Sequence, residues 1–339
     1  MKHLKFLDQA DIRQSCHPRE GETKFGQVIA LVEDFNTLSK LESRFVLIGI
    51  MEDIGIRANH GRPGAASTFK QFLKPLLNIQ VNRFWSKDSL ALGPYLDFSD
   101  WQEVADTLDA GNPQDLKQLR ELCAKIDEEL SQLALEIFKA GKIPLVIGGG
   151  HNNSYGLIKA AAKHFGEAVN VLNIDPHADF RALEGRHSGN GFSYAKAENL
   201  LNRYAVYGLH ESYNNQQILE DFRASADLYY LSYDQLLAFS TDERDRMFKD
   251  ALRWLGPGPI GLELDLDSIE AFPASALNAS GFNLQQARLM IKTASALAHP
   301  FYLHLAEAAP DLSEDTAKQE MSLKALVYLI TDFVKSFPE

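Results

Sequence analysis

The stretch "AVNVLNIDPHADFR", residues 168–181, sets the apolar run Val169-Asn170-Val171-Leu172 directly ahead of Asp175, His177 and Asp179. A short apolar run bounded by a polar segment reads as a buried strand. Alternate side chains of extended chain point the same way, so ionisable groups at i, i+2 and i+4 face one space. Carboxylates at a desolvated strand end are costly without a partner. The stretch therefore predicts a strand whose end holds a cation.

The same device recurs along the chain. "IPLVIGGGH" (143–151) reads as a buried strand running into a glycine turn that delivers His151. "PIGLELDLD" (259–267) delivers Asp265 and Asp267, and "PFYLHLAEAAP" (300–310) delivers Glu307. "RFVLIGI" (44–50), "RYAVYGLH" (203–210) and "DLYYLSY" (227–233) are further strand candidates. Helical patterns lie between most of them. One opens at a cap, Ser67; a long amphipathic one spans 114–141 and stops at Gly141; another closes the chain at 323–337, its apolar face turned to the core. Strands alternating with helices imply a parallel sheet covered on both faces, and in such sheets sites form beyond the carboxyl ends of the strands. Residues 1–44 are polar and mixed and read as an N-terminal extension packed on the domain. Residues 45–339 carry no repeat or linker and read as a single catalytic domain.

Two His and four Asp at strand ends form a mostly oxygen ligand set with some imidazole, which suits a fairly hard divalent ion such as Mn²⁺. They outnumber the ligands of one tetrahedral zinc and fit two metals sharing carboxylates, about 3.5–4 Å apart. Converging carboxylates repel one another and raise their own pKa values; two divalent ions would balance the charge of four.

Bulk properties narrow the function classes. The 339 residues carry 34 Lys plus Arg against 46 Asp plus Glu, a formal charge of −12. This acidic balance argues against nucleic acid or an anionic membrane as partner, and leaves room for an acidic small molecule in a locally basic pocket. Cys16 and Cys123 are too few for a disulfide framework. The N-terminus lacks the apolar core of a signal peptide and no stretch approaches a membrane span, so a cytoplasmic protein is expected.

"GGGH" at 148–151, "DPHAD" at 175–179 and "DLD" at 265–267 resemble the three metal-binding motifs of the ureohydrolase family of arginase, agmatinase and formiminoglutamase. The resemblance spans about residues 45 to 337. It implies a three-layer α/β/α sandwich with a mostly parallel, about eight-stranded sheet, and two Mn²⁺ ions per subunit. His151, Asp175, His177, Asp179, Asp265 and Asp267 would be the ligands. In the implied reaction a hydroxide bridging the metals attacks the carbon of a C–N bond, Glu307 holds the amidine or guanidinium, and Asp179 carries a proton to the leaving nitrogen. Oligomers are common in such families, so a homo-oligomer is possible.

Within the family, "DIGIRANHGRPGAA" (53–66) resembles the early loop of formiminoglutamases at Arg57, Asn59, Gly61, Arg62, Gly64 and Ala65. "HSGNGFSYA" (187–195) resembles their Ser-Gly-Thr-Pro-Phe segment, with Phe192 where arginases carry a histidine. The expected reaction is thus N-formimino-L-glutamate to L-glutamate and formamide. The alternatives are a guanidine hydrolase releasing urea and a catalytically silent metal-binding relative; the intact six ligands and Glu307 speak against the last. Carboxylate recognition favours arginine, whose planar fork binds both oxygens. Arg57, Arg62, Arg181 and Arg186 are the candidates, with His187 and Asn190 as further donors. The segment "ELDLDSIEAFPASALNASGFN" (263–283) departs from the family pattern: Glu263 stands for a serine, Glu270 for an aspartate and Ala271 for a proline. Glu263 could serve as an outer hydrogen-bond partner of the metal site; packing or an internal salt bridge is the favoured expectation.

Overall fold

In the computed structural model, which describes residues 1–338, the strands are β1 (Leu4–Lys5), β2 (Ala30–Leu31), β3 (Phe45–Met51), β4 (Ala91–Asp97), β5 (Ile143–Ile147), β6 (Val169–Ile174), β7 (Leu201–Leu209), β8 (Leu228–Ser232), β9 (Ile260–Asp265) and β10 (Tyr302–Ala306). They form one sheet in the order β1-β4-β3-β5-β10-β9-β6-β7-β8, with β2 also on β4. The eight strands from β3 to β10 are parallel throughout. Two-residue β1 is antiparallel to β4, and β2 is parallel to it.

Alternation along the strands divides the core into two layers of contact. Leu47, Leu145, Ile147, Leu172, Ile174, Leu262, Leu264, Leu303 and Leu305 pack on one side with Phe69, Phe72 and Leu76 of the helix Thr68–Leu77, Ile291 of the helix Leu284–Ala298, and Leu326, Ile330 and Phe333 of the helix Thr316–Ser336. Val46, Ile48, Val146, Val171 and Val206 pack on the other with Leu119, Ile126, Leu130 and Ile137 of the helix Pro113–Lys139 and Leu157, Ile158 and Ala161 of the helix Asn153–Phe165. This is the three-layer α/β/α sandwich. Residues 1–44 share in it: Leu7, Ile12, Phe25 and Ile29 are buried in the first core.

Three features differ from the sequence reading. β4, "ALGPYLD", was not among the strand candidates, because Gly93-Pro94 reads as a turn. In the fold the pair sits at a register shift between Leu47↔Leu92 and Gly49↔Tyr95, where a residue without an N–H costs no ladder bond. Ser67 precedes the helix Thr68–Leu77 but does not cap it; its hydroxyl donates to Asp311 Oδ2 at 2.6 Å. The closing helix begins earlier than expected, where the Asp315 carboxylate accepts from Ala317 and Lys318 N–H. No described helix is long and apolar enough to cross a membrane.

The closing helix supplies a test of the packing. Phe333 is fully buried, whereas Met321 is 66% exposed. Phe333→Ala is expected to cost about 3–5 kcal/mol and Met321→Ala no more than about 0.5 kcal/mol, measured by denaturant unfolding.

Candidate metal centre

Four neighbouring strands, β5, β10, β9 and β6, end at the same edge of the sheet. Their continuations carry His151, Glu307, Asp265 with Asp267, and Asp175 with His177 and Asp179. All six expected ligands meet there. His151 Nδ1 lies 2.9 Å from Asp179 Oδ2, 3.0 Å from Asp175 Oδ2 and 3.3 Å from Asp265 Oδ2. His177 Nδ1 lies 3.5 Å from Asp175 Oδ1 and 4.0 Å from Asp267 Oδ2. The donors resolve into two groups that could each hold a cation: His151, Asp175, Asp179 and Asp265, and His177, Asp265 and Asp267. Asp265 belongs to both, and Asp175 reaches both histidines.

Local backbone chemistry fixes these side chains. Asp175 Oδ1 accepts from His177 N–H at 2.7 Å, and Asp265 Oδ1 from Asp267 N–H at 2.7 Å. In each carboxylate Oδ1 braces the turn and Oδ2 faces His151. Asn173, two residues before Asp175 on the same strand face, donates to Asp175 Oδ2 at 2.9 Å. The turn before His151 needs glycine: Gly148 and Gly149 have φ of +92° and +73°, and a Cβ on Gly148 would lie 2.9 Å from Ile50 O. Buried Glu52 accepts from Gly150 N–H at 3.0 Å and from Asn153 Nδ2 at 2.7 Å, tying that turn to the end of β3. Asp179 and Glu307 have φ of +45° and +65°, a region that costs non-glycine residues about 1–3 kcal/mol and clusters at functional sites.

The electrostatics call for positive charge. Burial raises the Asp265 carboxyl to about 6, with the Asp175 charge adding to it. Burial and Asp265 push Asp267 well above the usual range. Burial raises Asp179, again with Asp175. His151 goes the other way from most buried histidines: burial opposes its charge, but the carboxylates of Asp175, Asp179 and Asp265 that face it raise its pKa well above normal. Both His151 ring nitrogens are buried without a hydrogen bond of good geometry. A ring nitrogen facing three carboxylate oxygens, only one of which has a side-chain amide donor of its own, fits a divalent cation. The donor set suits Mn²⁺.

Glu307 sits beside this cluster. Its Oε1 accepts from His151 N–H at 2.6 Å, while its buried Oε2 has no partner. Burial, then Asp265, raise its carboxyl to about 8. Phe192 packs edge-on against His151 at 5.3 Å and stacks on Tyr204 at 4.3 Å, closing that flank with apolar surface.

The expected substrate contacts fare differently. Arg186 is buried between Tyr155 and Tyr194, at 4.8 and 4.9 Å from their centroids, and its Nε donates to Asp127 Oδ2 at 2.8 Å. Its other nitrogens reach Asn152 O and Asn190 Oδ1. Asn190 in turn is buried and donates to Gly185 O at 2.8 Å. The expectation that Arg186 and Asn190 touch substrate is therefore corrected: a desolvated ion pair and its hydrogen bonds occupy them as loop supports. His187 is also buried, accepting from Gly189 N–H at 3.1 Å, with its pKa lowered to about 3 by burial and then by neighbouring arginines. Arg57 donates to Asp53 and Asp106, and Arg62 to the carbonyls of Ala274 and Ser275. Arg181 keeps a side chain 46% exposed; it donates to Asn59 Oδ1 at 3.0 Å and lies 3.2 Å from Glu184 Oε1.

Residues 43–332 match the model of the arginase family. The chain belongs to the arginase family. Membership makes it a hydrolase, as its motifs imply. It is 30% identical over 198 residues to a formimidoylglutamase of Hahella chejuensis, an alignment covering 55% of this chain and 52% of that protein. It is 26% identical over 323 residues to a formimidoylglutamase of Streptococcus pyogenes serotype M3, covering 91% and 90% of the two chains. A crystal structure of Trypanosoma cruzi formiminoglutamase with Mn²⁺ superposes with a TM-score of 0.70 at 21% identity, over 94% of this chain and 100% of that one, and shares its fold.

A cation held by these groups would have to displace protons. Burial opposes charge on His177, but hydrogen bonding to Asp175 and the surrounding carboxylates raise its pKa to about 9. A protonated imidazole cannot ligate, so below pH 9 the proton competes with the cation. Apparent Mn²⁺ affinity is expected to rise as pH goes from 7 to 9, with proton release on binding. Titration calorimetry in buffers of different ionisation enthalpy measures both.

Proposed function

We propose that this chain hydrolyses N-formimino-L-glutamate to L-glutamate and formamide, with two Mn²⁺ ions per subunit held by His151, Asp175, His177, Asp179, Asp265 and Asp267. The observation that carries the reading is the pair of ligand groups sharing Asp265, with the unpartnered Glu307 Oε2 beside them. Two bound divalent ions supply Lewis-acid chemistry and a water activated near neutral pH.

The protein's own groups do the rest. Glu307, anchored through Oε1 on His151 N–H, offers Oε2 to the N–H groups of an amidine and so orients the carbon to be attacked. Asp179, whose Oδ2 lies 2.9 Å from His151 Nδ1 and whose side chain is about one-tenth exposed, carries the proton to the leaving nitrogen. Phe192 covers the flank of His151 and offers no titratable group there, which separates this site from one using a histidine at that position. The relatives named formimidoylglutamase support the amidine reading over a guanidine. Arg181 is the candidate for the substrate carboxylates: Arg57 and Arg186 pair with Asp53 and Asp127 and Arg62 with main-chain carbonyls, whereas Arg181 is 46% exposed and its carboxylate neighbour, Glu184, is itself 37% exposed.

Assay of the Mn²⁺-loaded protein against formiminoglutamate, arginine, agmatine and guanidinobutyrate decides the substrate. Formamide from formiminoglutamate is expected. Urea from arginine with no formamide would replace the proposal with a guanidine hydrolase, and turnover of none would favour a silent relative. Arg181→Ala is expected to raise KM for formiminoglutamate by roughly 10–100-fold with little change in kcat, the loss of hydrogen bonds to a charged group worth about 1.5–3 kcal/mol. An unchanged KM would remove Arg181 from carboxylate recognition.

A further inference from the structure

Directly beneath the metal centre the sheet carries a polar row. Asn173 of β6 is registered against Glu263 of β9, and Glu263 against His304 of β10. Side chains two residues apart on a strand share a face, so Asn173 lies under Asp175 and Glu263 under Asp265. All three row members are fully buried.

Glu263 is the centre of this row. Its Oε1 accepts from the Tyr302 hydroxyl at 2.6 Å, and its Oε2 lies 2.6 Å from His304 Nδ1. Tyr302 can lie across β9 only because residue 261 is glycine: a Cβ there would stand 2.5 Å from Tyr302 Cε1. Glu263 Oε2 also lies 3.5 Å from Nε2 of His151, the ring nitrogen turned away from Asp175, Asp179 and Asp265. His304 Nε2 faces Gly148 O at 3.4 Å, in the glycine turn that carries His151.

We propose that Glu263 is a positioning residue for the metal ligand His151: its carboxylate accepts the Nε2–H of the imidazole, fixing Nδ1 as the ligating nitrogen and strengthening it as a donor. The inference rests on the metal-centre reading above. A carboxylate that takes the second N–H of a ligating histidine sets its tautomer and raises its basicity. Two other roles are open to the same atoms. Glu263 could serve only as the buried partner of His304 and Tyr302, or His151, Glu263 and His304 could hold a cation of their own, since their donor atoms also converge. The short Glu263–His304 and Glu263–Tyr302 hydrogen bonds oppose the second, because a cation would have to break them.

The test separates these roles by titrating metal-free protein with Mn²⁺, following bound and free ion by electron paramagnetic resonance. Glu263→Gln is expected to weaken one of the two Mn²⁺ sites by roughly 10–100-fold, the usual effect of losing such a partner, and to leave the other within a few-fold. Tyr302→Phe removes a donor to Glu263 but keeps its charge, and is expected to leave both sites within a few-fold. Unchanged Mn²⁺ affinity in Glu263→Gln overturns the proposal and leaves a structural ion pair. A third ion per chain in the wild type, lost in Glu263→Gln, overturns it in favour of a separate cation site. Should Glu263→Gln fail to fold, ¹⁵N magnetic resonance of the Zn²⁺-loaded wild type decides: a protected, hydrogen-bonded His151 Nε2–H is expected, and a metal-bound or unprotonated Nε2 overturns the proposal. Because no arm reads turnover, a different substrate leaves the result intact. A wild type that binds no Mn²⁺ overturns the metal-centre reading and this inference together.

Discussion

The structure is organised by the need to neutralise four aspartates brought together at the ends of β6 and β9. Asp175, Asp179, Asp265 and Asp267 are nearly or wholly removed from water, where unpaired carboxylates are costly. The two histidines that join them, His151 and His177, cannot both donate to every oxygen that faces them. Divalent cations would resolve the conflict, and the remaining features of this edge of the sheet hold these side chains in place.

That holding is done in layers. Asn173 braces Asp175 from below, Glu52 pins the glycine turn, and backbone N–H groups occupy the back oxygens of Asp175 and Asp265. Asp179 and Glu307 are kept in left-handed backbone conformations. Glu307 pays for this partly through two backbone bonds, from its own N–H to Gly149 O and from Ser275 N–H to its carbonyl. Glu307 and the glycine turn are thus set by hydrogen bonds that reach segments following strands β3, β5 and β9.

Much of this was legible in the sequence because the signal is local. An apolar run followed by ionisable residues marks a strand end, and the six expected ligands and Glu307 all sit in such places. β4 was not legible because Gly93-Pro94 imitates a turn until a neighbouring strand shows the bulge. Arg186 was misread for a different reason: its partner Asp127 lies 59 residues away on a helix, and no spacing rule reveals such an ion pair. Glu263 was expected to pack or to join an internal salt bridge with no partner named; its contact with His304 and its approach to His151 depend on the register of β9 against β10 and on the aim of the glycine turn. Loop arginines and register-dependent polar rows are tertiary facts, whereas strand-end ligands are written in the order of residues.

The most direct test is anomalous diffraction from crystals of the Mn²⁺-loaded protein. The account predicts two peaks about 3.5–4 Å apart, one bounded by His151, Asp175, Asp179 and Asp265 and the other by His177, Asp175, Asp265 and Asp267. A single peak, or a peak displaced to the pair Glu263 and His304, would contradict it.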